Sequence, residues 1–253
     1  MVVFDEMTGA RGSVEWGPER TWEPRETGVD VWCGDLKGDS GAARSLSVEE
    51  RARADRFVVR ERGESFIAGR ASLRRILSRY LGCSPAEIQF DYGAHGKPRL
   101  RGDGPPLHFN LSHSGAKFVL AVSRECAVGI DIEQARADRR LVEIGRRFFA
   151  PEEHARMCAE GAENLVDHFY RLWACKEAYL KVHGTGFSFP AANFCVSMAQ
   201  HPPRVEWTRL EGDVASSWCL DALSLPFAGY RAALCSAREG DVRAFLASGG
   251  SGT

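Results

Sequence analysis

No stretch of this chain is apolar for the roughly 18 residues that a membrane-spanning helix requires, and its N-terminus has no apolar leader core. No two of its eight cysteines have C-x-x-C spacing, which argues against structural zinc. Charge is in excess of neither sign. The formal net charge of -1 excludes the basic surplus of a bulk nucleic-acid binder, so any anion site must be a local cluster. Lysine is scarce: of 33 Lys+Arg, only Lys37, Lys97, Lys117, Lys176 and Lys181 are lysine. Where arginine is the default cation, a retained lysine suggests that a compact point charge is wanted. These absences point to a cytoplasmic protein with reduced thiols and no nucleic-acid or membrane partner, and a monomer is expected.

The hydrophobic content of 44% supports a sizeable core. Residues 1–27 are polar and Gly-rich and read as a flexible extension. Val29 to Trp32 alternates as a strand does. Ser47 and Glu50 form a capping box, and an amphipathic helix spans Ser65 to Leu81 and stops at Gly82. Ile88 to Tyr92 is a short strand, followed by a Gly93–Pro98 loop. His108–Leu111 and Ala116–Val122 are strands joined by a Ser112–Gly115 turn, and Cys126–Ile132 is a third. Leu141–Phe149 is helical, Pro151 opens another helix, and Asn164–Val182 is the longest, closed by Gly184 and Gly186. Beyond Phe187 the pattern is β-rich, with a flexible tail over 248–253. Glu49, Glu50, Ala52, Arg53, Phe66, Ala71 and Leu77 align at one offset with Glu152, Glu153, Ala155, Arg156, Phe169, Ala174 and Leu180. Any two amphipathic helices could match this well; if the echo is a true repeat, the fold is α+β with two similar halves, 1–126 and 127–253, and a ligand cleft between them.

Three segments carry chemistry: Phe109 to Ser114, Val128 to Glu133, and Trp173 to Lys181. Together they supply three carboxylates, two lysines, a histidine and hydroxyls, the inventory for holding a divalent metal against a polyphosphate. Asp131 and Glu133 share one face of a strand, where both could reach one metal or could simply be solvated acids. Glu177 and Lys181 are i, i+4 on a helix, a working pair or an ordinary surface ion pair. Ser112-His113-Ser114 could bind phosphate or merely build a turn. No G-x-S-x-G elbow supports a Ser–His hydrolase at this point.

Taken jointly, Gly96-Lys97-Pro98, Phe109-Asn110-Leu111-Ser112-His113-Ser114, Gly129-Ile130-Asp131-Ile132-Glu133, Arg147 to Glu153, and Trp173-x-x-Lys176-Glu177-Ala178-x-x-Lys181 resemble the Sfp-like 4′-phosphopantetheinyl transferases in order and spacing. The resemblance runs from about Val29 to Ser236. It implies transfer of the 4′-phosphopantetheine arm of coenzyme A to a serine of an apo acyl or peptidyl carrier protein. It implies Mg²⁺ on Asp131, Glu133 and Glu177, and coenzyme A on Arg70, Lys97, Ser112, His113 and Lys181. Asp131, Glu177 and Lys181 would be the catalytic groups, with Glu177 taking the serine proton. Arg51, Arg53 and Arg56 are further candidates for the nucleotide end. A metal-dependent nucleotide pyrophosphohydrolase and a non-catalytic coenzyme A or carrier-binding protein are the alternatives.

Overall fold

The computed structural model describes residues 14–36, 42–93, 95–102, 104–185, 189–238 and 240–248. Lys37, Gly186, Phe187, the first 13 residues and the last five lie outside the described residues. The first half runs strand β2 (Val29–Asp35), helices α1 (Val48–Asp55) and α2 (Arg60–Leu81), then strands β3 (Phe90–Tyr92), β4 (Pro98–Leu100), β5 (His108–Ser114) and β6 (Lys117–Ser123). The second runs β7 (Val128–Gln134), α3 (Leu141–Phe148), α4 (Pro151–Ala159), α5 (Leu165–His183), β8 (Phe194–Ser197), β9 (Arg204–Thr208), β10 (Cys219–Leu223) and β11 (Tyr230–Ser236). Apart from α3, the order repeats. The pairing repeats too: β5-β6-β2 and β10-β11-β7 are both antiparallel in every pair. The fold is therefore mixed α+β, built of two like halves.

The repeat extends to buried side chains. Ser47 caps α1, and its backbone N–H donates to Glu50 Oε2 at 2.9 Å. The same Glu50 oxygen accepts from Arg74 Nε on α2 at 2.8 Å, and Arg74 stacks over Phe90. In the second half, Ala150 N–H donates to Glu153 Oε2 at 2.7 Å, and Lys176 on α5 donates to both Glu153 oxygens at 2.7 and 2.6 Å. Lys176 Nζ lies 4.0 Å from the Phe194 ring centroid. Each half thus pins its short helix to its long one by an acid, a cation and an aromatic. Lys176 is only 2% exposed. It is a buried cation paired with Glu153, whereas the sequence-based inventory counted it beside Lys181 without giving it a role.

The long helices end where glycine allows. Gly82 and Gly184 adopt φ of 66° and 69°, and each N–H turns back to a carbonyl of the last turn. Helix α2 begins a turn before the predicted start, at Arg60. Gly129 lets β7 press against α5. A Cβ there would stand 2.1 Å from the Ala178 carbonyl oxygen, closer than any side chain can approach.

Three short strands have no counterpart in the sequence-based reading: β4, which begins at the end of the predicted Gly93–Pro98 loop, and two on one side of the first-half sheet. Strand β1 (Trp16–Pro18) and strand β12 (Val242–Leu246) extend the first-half sheet in the order β1-β12-β2-β6-β5, with β12 parallel to both neighbours. Residues 14–27 are consequently part of the sheet and its rim, and not the flexible extension expected for them. Glu19 accepts from Arg79 at 2.8 Å and also pairs with Arg75, while Trp22 donates to Asp30 at 2.8 Å. None of the eight cysteines is in a disulfide. No helix among the described residues is long and apolar enough to cross a membrane.

Candidate active site at the seam between the halves

Strands β5 and β7 lie side by side without belonging to one sheet. Polar side chains on one face of β5 join them. Asn110 Oδ1 accepts from Ile130 N–H at 2.8 Å, Ser112 Oγ–H donates to Asp131 Oδ1 at 2.8 Å, and Ser114 Oγ–H donates to Glu133 Oε2 at 3.0 Å. The i, i+2 spacing of Asn110, Ser112 and Ser114 is strand alternation. The predicted Ser112–Gly115 turn is thus shorter: β5 continues through Ser114, and Gly115 (φ 56°) with Ala116 makes the turn. Ser112 faces inward while His113 takes the opposite side of the strand, where it lines the cleft.

Helix α5 brings the third segment. Lys181 Nζ donates to Ser112 Oγ at 2.7 Å and pairs with Asp131 Oδ1, so all three chemical segments meet at one point. Asp131 is 2% exposed, and its second oxygen, Oδ2, is buried with no hydrogen-bond partner. Burial, and then the charge of Asp131, push the carboxyl of Glu133 upward. Burial, followed by the charge of Asp131, lifts Glu177 to about 7, with a lesser contribution from Glu133. The three carboxylates predicted to share a metal therefore lie close enough to repel one another. No set of three His, Cys, Asp or Glu among the described residues is closed into a ready-made metal cage. Lys181 supplies positive charge beside Asp131.

A cleft of about 410 Å³ opens above this junction. Arg70, Lys97, His113, Glu177 and Lys181 line it, together with Arg53 and Phe66. Arg70 is 8% exposed, sits over the rings of Phe66, Phe90 and Tyr92, and leaves Nη1 buried without a partner. An arginine so buried with an unused N–H is poised for an anion. Burial, then the charge of Lys181, lowers the His113 imidazole, which favours its neutral form. Lys97 also lines the cleft, but its ammonium is turned toward α5. It donates to the carbonyl oxygens of Lys181 at 2.5 Å and Val182 at 3.3 Å. Of the three basic candidates in and just after α1, only Arg53 reaches the cleft; Arg51 instead bonds the Leu46 carbonyl oxygen, and Arg56 is exposed outside the lining. Sequence reasoning did not single out Asn110 or Ser114 as connectors, although their alternation with Ser112 was a usable signal.

A second, smaller pocket of about 250 Å³ adjoins the first through Glu177 and Leu180. Phe148, Trp173 and Phe189 form its apolar wall, and Arg147 stands at its edge. Phe149 is a core residue at 3% exposure, whereas Phe148 is half-buried against Trp173.

Both halves match family descriptions. Residues 31–125 match "4′-phosphopantetheinyl transferase, N-terminal", and residues 127–235 match the "4′-phosphopantetheinyl transferase superfamily". The chain is 43% identical over 148 residues to the 4′-phosphopantetheinyl transferase HetI of a Nostoc strain, covering 58% of this chain and 62% of that one. It is 34% identical over 155 residues to the 4′-phosphopantetheinyl transferase Sfp of Bacillus subtilis, covering 61% and 67%. To the human L-aminoadipate-semialdehyde dehydrogenase-phosphopantetheinyl transferase it is 34% identical, covering 58% and 51%. The chain thus spans about half to two-thirds of the length of these relatives. With both halves matched in order, and two-thirds of Sfp covered at more than 30% identity, the chain belongs to the 4′-phosphopantetheinyl transferase superfamily.

Proposed function

We propose that this protein transfers the 4′-phosphopantetheine arm of coenzyme A to a serine of an apo carrier protein and releases adenosine 3′,5′-bisphosphate. The observation that carries this reading is the junction of Lys181, Asp131 and Ser112 beneath a cleft lined by Arg53, Arg70 and His113. The three segments come from both halves and meet only in the folded chain. We take the halves as 1–126 and 127–253, with the reaction in the cleft between them. Arg70, Lys97, Ser112, His113 and Lys181 would hold the phosphates. Lys97 has two of its three N–H groups on carbonyls and keeps one for a phosphate oxygen.

The donor set fits a divalent cation. Asp131 has an orphaned buried oxygen, and Glu133 and Glu177 are raised by burial and then by the charge of Asp131, both of which such an ion would offset. Asp131, Glu133 and Glu177 would hold Mg²⁺, which prefers oxygen ligands and neutralises pyrophosphate charge. Among the chain's own groups, Glu177 would accept the proton of the carrier serine as its oxygen attacks the pantetheine-side phosphorus. The bond from that phosphorus to the bridging oxygen breaks, and Lys181 would stabilise the charge that develops there. The nucleophile belongs to the partner, which explains why this chain needs no activated serine or cysteine. The protein would act in the cytoplasm as a monomer. Mass spectrometry of an apo carrier protein incubated with coenzyme A and Mg²⁺ tests the reading. Mass gain on the carrier is expected; phosphopantetheine released to water, or no reaction, would sink it.

Two further outcomes are expected. Burial, opposed weakly by Cys235 and reinforced by Lys181, lowers Lys97 to about 8. A bound phosphate raises it again, so binding should take up protons near pH 8. Affinity should be full below pH 8 and fall as pH rises through the raised, ligand-bound value. Calorimetry in buffers of differing ionisation heat reads this directly; equal heats in all buffers at pH 8 would contradict it. For the carrier, the exposed Arg146 and Arg147 beside half-buried Phe148 offer cations next to an apolar pocket. Arg146→Glu with Arg147→Glu should weaken carrier binding on the order of 10-fold at low salt and spare coenzyme A binding. Unchanged carrier affinity at low salt would place docking elsewhere.

A further inference from the structure

We infer that Lys97 is a positioning residue that ties the β3–β4 hairpin of the first half to the C-terminus of α5 in the second. In doing so it holds Glu177 and Lys181 in register with Asp131. The inference rests on the transferase reading for its kinetic arm only.

The last four carbonyls of a helix have no partner within it. In α5, Gly184 closes part of this gap through its own N–H, which turns back to Leu180 and Lys181. The Lys97 ammonium closes more of it, donating to the Lys181 and Val182 carbonyl oxygens from a loop more than eighty residues earlier. A cation at this end of a helix also meets the negative end of the helix dipole. The lysine stem passes close by: a Cβ on Gly184 would stand in ordinary contact with Lys97 Cδ, at 3.5 Å. Lys181 is itself one of the two residues bonded through its backbone, and its side chain carries the junction with Ser112 and Asp131. A shift of this turn would move Lys181 Nζ directly and Glu177 one turn earlier. Small displacements at reacting groups cost rate far more than binding. Lys97 borders the cleft as well, so a phosphate bound there would meet the same ammonium that fixes the helix end.

The test compares Lys97→Met and Lys97→Arg with the unaltered protein by two measurements. The first is amide hydrogen exchange in the free protein. Lys97→Met should speed exchange at residues 181–184 by at least 10-fold and leave 166–176 unchanged. The second is kcat at saturating coenzyme A, where a lost phosphate contact that is equal in the ground and transition states would not show. Lys97→Met should lower it about 10-fold, and Lys97→Arg should restore most of both effects. If exchange at 181–184 is unchanged in Lys97→Met, or kcat at saturation is unchanged whatever happens to KM, the inference is wrong. If the unaltered protein transfers nothing, the proposed function fails, and the exchange measurement alone decides the tie.

Discussion

Asp131→Asn should lower phosphopantetheine transfer by about 10²–10³-fold, the usual loss when one preorganised electrostatic group is removed. The fold should survive. Asn can still accept from Ser112, and the substitution removes a buried charge that faces two other acids. Lys181 is left without its ion pair, but its side chain is 26% exposed and can be solvated. A thermal midpoint within about 5 °C of the unaltered protein is therefore expected alongside the kinetic loss. The decisive measurement is the rate of mass gain on an apo carrier at saturating coenzyme A. A rate within threefold of the unaltered protein would remove Asp131 from the chemistry and leave it as a partner of Ser112 in the seam.

Lys176→Met makes the opposite prediction. Its target is stability, by about 3–5 kcal/mol, because the change leaves the Glu153 carboxylate buried without its cation. Glu153 is 1% exposed, and its remaining partners are the N–H groups of Ala150 and Val196. Val196 opens the irregularity in the β8–β9 pair, and the Phe194 carbonyl oxygen loses its donor as well. Chemical denaturation should show the loss as a lower midpoint with little change in slope. Glu153→Leu combined with Lys176→Met should recover much of it, since an apolar pair can replace a buried ion pair with little net cost. If Lys176→Met instead leaves stability intact and weakens coenzyme A binding, the lysine is functional and its burial has been misread.

These two residues show where sequence reading succeeds and where it stops. Asp131 was legible because strand alternation and motif spacing both put it beside Glu133. Lys176 was only counted with Lys181 through its company in the motif and given no role, although helical spacing already placed it on the face of Phe169, Leu172 and Tyr179. A lysine on the apolar face of a helix needs a buried acid, and Glu153 at the start of a neighbouring helix was available. Helix ends were legible for a local reason: Gly82 and Gly184 hold backbone angles that other residues avoid. Strands β1 and β12 were not. Each is at most five residues long, and the two pair with each other across the length of the chain, so no local pattern distinguishes them from loop. The turning of the Lys97 ammonium toward α5 was equally hidden, since the partner is backbone and backbone has no sequence signature.

The place of β12 has a consequence for the order of events during synthesis. Strand β2 emerges early and finds β6 within the same half, but its other edge waits for a strand made from residues 242–246. At about 5–20 residues per second, the ribosome needs on the order of ten seconds to span the interval between β6 and β12. Through that time the nascent first half carries an unpaired sheet edge, the kind of edge that invites pairing with another chain. A chain released before residue 242 would keep every proposed catalytic side chain and still lack the strand that seals this edge. Such fragments are expected to associate or be degraded instead of persisting as smaller enzymes, and pulse-labelled truncations ending at 238 and 248 would show the difference.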